Sequence, residues 1–350
     1  MRDKRDGLGR QRIRAGVVLG GILTLSPSLL FAQTCTTQAR MTSDVRDGLS
    51  AAAFTLAQAV QVADVAKAQG MTIAEFSSAS AFGPTESLMR STASRMGNGE
   101  LRVVQIYELD ARSRAANDTA DADFSCPLAG ITSETDFSIS GLPRGLYGFA
   151  MVEATGDRPW LLSFLLRQDE GVWKLAGFYP RASTAADHDG EWYWKSARTY
   201  AKADELWLAW ISYGEAAELL RPANFVTSTN LDRLLAERRA AAPPELAGGI
   251  GANHPLVMKA SDGKGGTVEY RFTGISAQAS DDGKDLNLIL HVPVDGVGDA
   301  AVALGYSKAA AKAFLDAHME LRQAFTGVWV FADSEGHAPL VTEQTISSIP

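Results

Sequence analysis

Long apolar runs, histidine, cysteine and positive charge are all scarce in this sequence, and each shortage excludes something. The longest apolar stretch, residues 15–25, is about half of the roughly 20 residues that span a bilayer. No transmembrane helix is expected. Histidine occurs five times, with none between residues 33 and 182, and His254, His291, His318 and His337 stand apart from one another. Without an HExxH or HxH pairing there is no zinc pattern. No Gly-x-Ser-x-Gly elbow occurs, and the glycine-rich stretch 263–266 lacks the strand–loop–helix setting of a phosphate cradle. The sequence therefore predicts no cofactor and no metal. Cysteine occurs twice, as Cys35 and Cys126, without CxxC spacing.

What is present begins with a leader. Six basic residues stand against two acidic ones in the first fourteen positions. The short apolar run follows, Ser26-Pro27-Ser28 breaks it, and Leu30 and Ala32 occupy the −3 and −1 positions of a cleavage site. This is the layout of a secretory signal peptide, residues 1–32, cleaved after Ala32, and it predicts a periplasmic or secreted protein. In an oxidising compartment the two remaining cysteines are expected to pair, and a link across 91 residues stabilises by roughly 4–5 kcal/mol in the loop-entropy picture. With the leader gone, 33 basic against 41 acidic residues becomes 27 against 39, a net charge of −12. Nucleic acid and anionic lipid, which need a basic patch, are excluded as partners.

The sequence predicts an α+β protein. An α-helical stripe (Val45, Leu49, Ala52, Leu56, Ala59, Ala63) is capped by Thr42 or Ser43 and stopped at Gly70. Thr72-Ile73-Ala74-Glu75 reads as the capping box of a second helix, and a third, after the break at Gly83-Pro84, ends near Met96. A β-rich segment follows at 101–109, then a polar loop at 112–123. Strands at 146–154, 160–168 and 172–179 are separated by clear turns, an antiparallel meander. Helices followed by a meander closing on Asp169-Glu170-Gly171-Val172-Trp173-Lys174 resemble the nuclear-transport-factor-2-like α+β roll over residues 33–182. That resemblance implies a cone-shaped cavity between sheet and helices. It carries over no catalytic set, because this region has no histidine and its strand acids Glu108 and Glu153 have no assigned face.

Residues 183–240 predict a helical hairpin and a third helix. Tyr193, Ala197, Tyr200, Ala209, Tyr213, Ala216 and Pro222 resemble the small–large spacing of one tetratricopeptide repeat. A single repeat cannot bury both its faces. The hairpin therefore either packs on the neighbouring domain, the commoner use of aromatic residues at helical spacing, or receives a partner; Trp192, Trp194, Trp207 and Trp210 suit either role and are the candidate binding surface for an envelope protein or peptide. Residues 241–252 read as a linker. Residues 253–350 predict a small α+β sandwich: strands at 267–277, 286–292, 328–332 and 340–346, and a helix at 307–325 over an antiparallel sheet.

For chemistry, His188 between Asp187 and Asp189 is the one histidine flanked by carboxylates. It is the candidate catalytic group, although Asp-Gly before a helix is also ordinary turn and cap chemistry. Asp281, Asp282 and Asp285 lack the closing glutamate of a calcium loop. The resulting expectation is an exported, non-catalytic binding or assembly module. The alternative is a hydrolase or isomerase acting on a small apolar molecule in the roll cavity.

Overall fold

In a computed structural model, residues 33–128, 132–261, 265–294 and 300–350 are described. The expected signal peptide lies outside them, as does part of the glycine-rich stretch at 263–266. The α+β class holds, and residues 33–350 form one compact unit.

Strand β1 (Thr34–Thr37) leads to α1 (Ser43–Gln61), whose Leu49, Ala53, Leu56, Ala57 and Val60 form a buried stripe. The helix ends before the expected Gly70, because Ala63 adopts φ 52°. Asp64 then accepts from the Lys67 N–H at 3.0 Å and starts a separate α2 (Val65–Gly70). The expected helix at Thr72 reduces to one 3-10 turn, Ala74–Phe76. Sheet pairing wins there: the Ile73 N–H donates to the Leu175 carbonyl, and the Leu175 N–H donates to that of Met71. Helix α3 (Ala79–Met96) runs through Gly83-Pro84 instead of breaking. Glycine before proline removes the Cβ that would clash with the pyrrolidine ring.

The strands β2 (Leu101–Asp110), β3 (Ala122–Pro127), β4 (Glu134–Ile139), β5 (Leu146–Ala154), β6 (Trp160–Asp169) and β7 (Val172–Ala182) make two sheets. The larger has the order β1-β2-β5-β6-β7 and is antiparallel throughout. Glu170 and Gly171, both at positive φ, form the two-residue turn between β6 and β7. One face of this sheet packs against α1 and α3 through Ile106, Val152, Leu162, Phe164, Leu166 and Phe178. At Gly148 the contact is so close that a Cβ would lie 2.1 Å from Leu49 Cδ2. The other face packs on a second sheet of β3 and β4, which is joined further on by β10 (Val226–Ser228). Cys35 on β1 and Cys126 on β3 form the expected disulfide, with Cα atoms 5.2 Å apart, and so fasten one sheet to the other. The space between sheet and helices, where the roll resemblance implies a cavity, is filled by these side chains.

After the short hairpin β8 (Thr184–Ala185) and β9 (His188–Asp189) come α4 (Gly190–Lys202), α5 (Leu206–Leu220), β10 and α6 (Thr229–Ala240), close to the expected bounds. The stretch expected to be a linker is packed instead: Ala241 and the 3-10 residue Leu246 are buried. Strands β11 (Leu256–Ser261) and β12 (Thr267–Phe272) pair with each other. β13 (Gly274–Ala279), β14 (Leu286–Pro293), β15 (Gly327–Asp333) and β16 (Leu340–Thr345) form a four-stranded sheet. The single strand expected at 267–277 is thus two, parted at Thr273. The sheet is also not wholly antiparallel: β14 and β15 run parallel. The crossover between them carries α7 (Ala300–Ala317), and a parallel pair requires such a connection. The helix expected at 307–325 breaks after Ala317 and resumes as the single turn α8 (Leu321–Ala324).

Among the described residues no helix is long and apolar enough to cross a membrane. The disulfide fits an exported protein.

Candidate functional site

Asp187, His188 and Asp189 have local structural tasks. Ala186 and Asp187 both lie at positive φ and form the two-residue turn of the β8–β9 hairpin. Asp189 caps α4, accepting from the Trp192 N–H at 2.8 Å. The His188 ring lies flat on Trp192, centroids 3.6 Å apart. Among the described residues no cluster of His, Cys, Asp or Glu could hold a metal. The Asp281–Asp285 segment is a turn, with the Asp282 carboxylate accepting from Ser280 and from the Lys284 N–H.

The four tryptophans divide between two helices. Helix α5 is apolar on almost every side, which suits a helix buried all round. Its Trp207 and Trp210 are 6% and 8% exposed and are not surface residues. Trp207 meets Phe314 edge-on at 5.4 Å and lies 4.4 Å from the His318 ring, so it closes the core of the C-terminal sheet. Burial among these rings pushes the His318 pKa down. Trp192 on α4 is 41% exposed. Trp194 is half-buried, and its indole N–H donates to Glu237 Oε2 at 2.8 Å. Arg198 grips the same carboxylate with two bonds of 2.7 Å and holds its pKa down to about 2. The Arg198 guanidinium also lies 4.6 Å from the Trp194 ring centroid. Trp194 is thus tied into its own chain, and a cleft of about 430 Å³ beside it separates α4 from the start of α6.

A larger set of polar groups converges where three elements meet. Between the end of β7, helix α5 and strand β13 lies a cavity of about 550 Å³. The β5–β6 turn lends it Arg158 and Pro159, β6 lends Trp160, β7 lends Pro180 and Arg181, and α3 lends Arg95. Its opposite wall is Glu215, Glu218 and Leu219 of α5 together with residues 276–281. Two of the arginines are engaged. Arg181 donates to Glu218 Oε2 at 2.7 Å and to Asn224, while Arg95 donates to Ser91 at 2.8 Å and stands 3.9 Å from Asp281. Arg158 is half-buried and, among the described residues, has no hydrogen-bond or ion-pair partner.

Glu215 stands out most. It is 6% exposed and, among the described residues, no hydrogen bond or ion pair reaches it. Burial, and secondarily the charge of Glu218, push its pKa up to about 8. At neutral pH it is mostly an uncharged acid, able to donate a hydrogen bond. It is absent from the residues singled out by sequence, although a signal existed. Within Leu206–Leu220 the only charged residues are Glu215 and Glu218, and an acid inside an otherwise apolar helix is an anomaly that periodicity exposes.

Comparison with family models, with curated proteins and with solved structures finds no match for this chain.

Proposed function

We propose that this chain is an exported binding protein of the cell envelope, and that its ligand enters the cavity between β7, α5 and β13. The observation that carries the reading is Glu215, a side chain 6% exposed whose carboxyl opens onto the cavity and, among the described residues, meets no partner, on a wall where Arg158 among those residues has none either. Holding a carboxyl in a largely desolvated wall with no protein partner costs stability, and such costs concentrate at sites that meet a ligand. A volume of about 550 Å³ also lies within the range of small-molecule sites. Export rests on the leader, with cleavage after Ala32 and a periplasmic or secreted destination. Its test is N-terminal sequencing of the protein recovered outside the cytoplasm, which should begin at Gln33; an intact Met1 in that fraction would end it.

The cavity is tested with Ser276→Trp, a bulky replacement at an exposed wall position that leaves the cores untouched. A panel of small molecules screened by thermal shift should contain compounds that stabilise the wild type and not this variant. Equal shifts in both proteins would place binding elsewhere.

A second reading keeps the helical hairpin as a contact for another envelope protein or peptide, now through α4 alone. The exposed Trp192, stiffened by its stack on His188, supports it. Trp192→Ala should then release a partner recovered by cross-linking, and retention of every partner would argue against this surface. We propose likewise that residues 33–182 are an α+β roll and residues 183–240 one tetratricopeptide-like unit, on the order of their helices and strands.

A further inference from the structure

The cavity's own groups narrow the ligand class, an inference that rests on the cavity being the binding site. We propose that it takes an organic carboxylate, a singly charged anion on an apolar body, with the anion held by Arg158 and a second polar atom accepting a hydrogen bond from Glu215.

Charge on the wall decides the sign. Three arginines face Glu218 and Asp281, so with Glu215 uncharged the wall carries one net positive charge, inside a chain whose formal net charge is −8. That local excess is Arg158, since Arg181 is committed to Glu218 and Arg95 stands near Asp281. A guanidinium is a planar fork that matches a carboxylate in two parallel bonds. One free fork suits a single planar charge better than a phosphate dianion, which needs more donors. The rest of the wall, with Trp160, Pro159, Pro180 and Leu219, offers apolar and aromatic surface for the body of the molecule.

Binding should also depend on pH. The charged and titratable groups around Glu215 are Glu218 on its own helix, Tyr193 of α4, Arg238 of α6 beside Gly214, Arg95, Arg158 and Arg181 across the cavity, and Asp281 beyond β13. None of them forms a bond with Glu215. Proton loss from Glu215 therefore removes the donor and places a negative charge beside the bound anion.

The test is calorimetric titration of the purified, disulfide-bonded protein with 2-naphthoate, its neutral counterpart 2-naphthamide and the cation 2-naphthylmethylamine. At pH 6.5 naphthoate should bind at least about tenfold more tightly than the amide. Arg158→Gln should erase most of that preference, and Arg158→Lys, which keeps the charge but loses the fork, should retain only part of it. Between pH 6.5 and 9.5 the wild type should lose about tenfold in naphthoate affinity, and Glu215→Gln should not. Naphthamide binding as well as naphthoate, with both blocked by Ser276→Trp, would overturn the anion class and leave the cavity as a site. An amine that binds best, and better as pH rises, would invert the assignment and make Glu215 a receptor for cations. No binding by any probe, or naphthoate binding that survives Ser276→Trp, would overturn the anion class, and the second result would remove the cavity as well.

Discussion

The space beneath α1 and α3 and the space between β7, α5 and β13 are both bounded by helix and sheet, but they are finished differently. The first is filled to contact, with Phe164 stacked on Phe178 at 5.3 Å and Gly148 admitting Leu49 without a gap. The second keeps about 550 Å³ open and buries a carboxyl in its wall. Interiors ordinarily close to the density of organic crystals, and buried polar groups ordinarily find partners. The open region departs from the first rule and holds a carboxyl that meets no partner among the described residues, whereas the region beneath α1 and α3 is packed shut.

The sharpest way to test that contrast is to weaken the packed parts of the molecule. Reduction of Cys35–Cys126, or replacing both residues with serine, should cost about 4–5 kcal/mol in urea unfolding, because the link closes a 91-residue loop and fastens two sheets. A loss near zero would mean that the packed face between the sheets holds them unaided. Phe164→Ala beneath the helices, and Trp207→Ala against Phe314, should each cost about 3–5 kcal/mol, the range for emptying a large buried ring site.

The open side should respond with the opposite sign. Glu215 has a pKa of about 8 in the folded chain against 4.5 for an ordinary glutamate. Between those values the folded state keeps a proton that the unfolded state releases, so this group's contribution to stability falls as pH rises from 4.5 through 8. Glu215→Gln should therefore stabilise the protein by about 2–4 kcal/mol at pH 9, with the gain shrinking towards zero near pH 4. A gain that does not vary with pH would mean that the carboxyl ionises normally. The smallest effect belongs to Trp192→Ala, which should shift stability by less than about 1 kcal/mol while leaving α4 in place, since Asp189 caps that helix with the backbone N–H. Set beside Trp207→Ala, it separates a surface tryptophan from a core one in a single hairpin.

Much of the architecture was legible because it is local. The meander at 146–182 announces itself through β-rich runs and turn residues, and β5 falls on the expected bounds. The disulfide was legible from a count of two cysteines and the expectation of export. Expectations failed where distant residues intervened. Thr72 and Ile73 carry a good capping box, but the free edge of β7 offers Leu175, about a hundred positions away, and the backbone pairs there instead. Strand 267–277 read as continuous because β-branched and aromatic residues recur along it, yet Phe272 and Ile275 serve different sheets. The candidate site was the least legible part. Arg95, Arg158, Arg181, Glu215 and Asp281 come from five separate stretches, and no spacing in the chain connects them.

By itself, then, the sequence determined the class of fold, the cysteine pair and the helices of the hairpin, each from signals within a few turns or from a count of two. Tertiary structure alone decided which tryptophans are core, that the space beneath α1 and α3 is filled, and that Glu215 lines a cavity where no described residue pairs with it. Those outcomes depend on which surfaces lose water against one another, and burial is set by residues that the chain brings together from far apart.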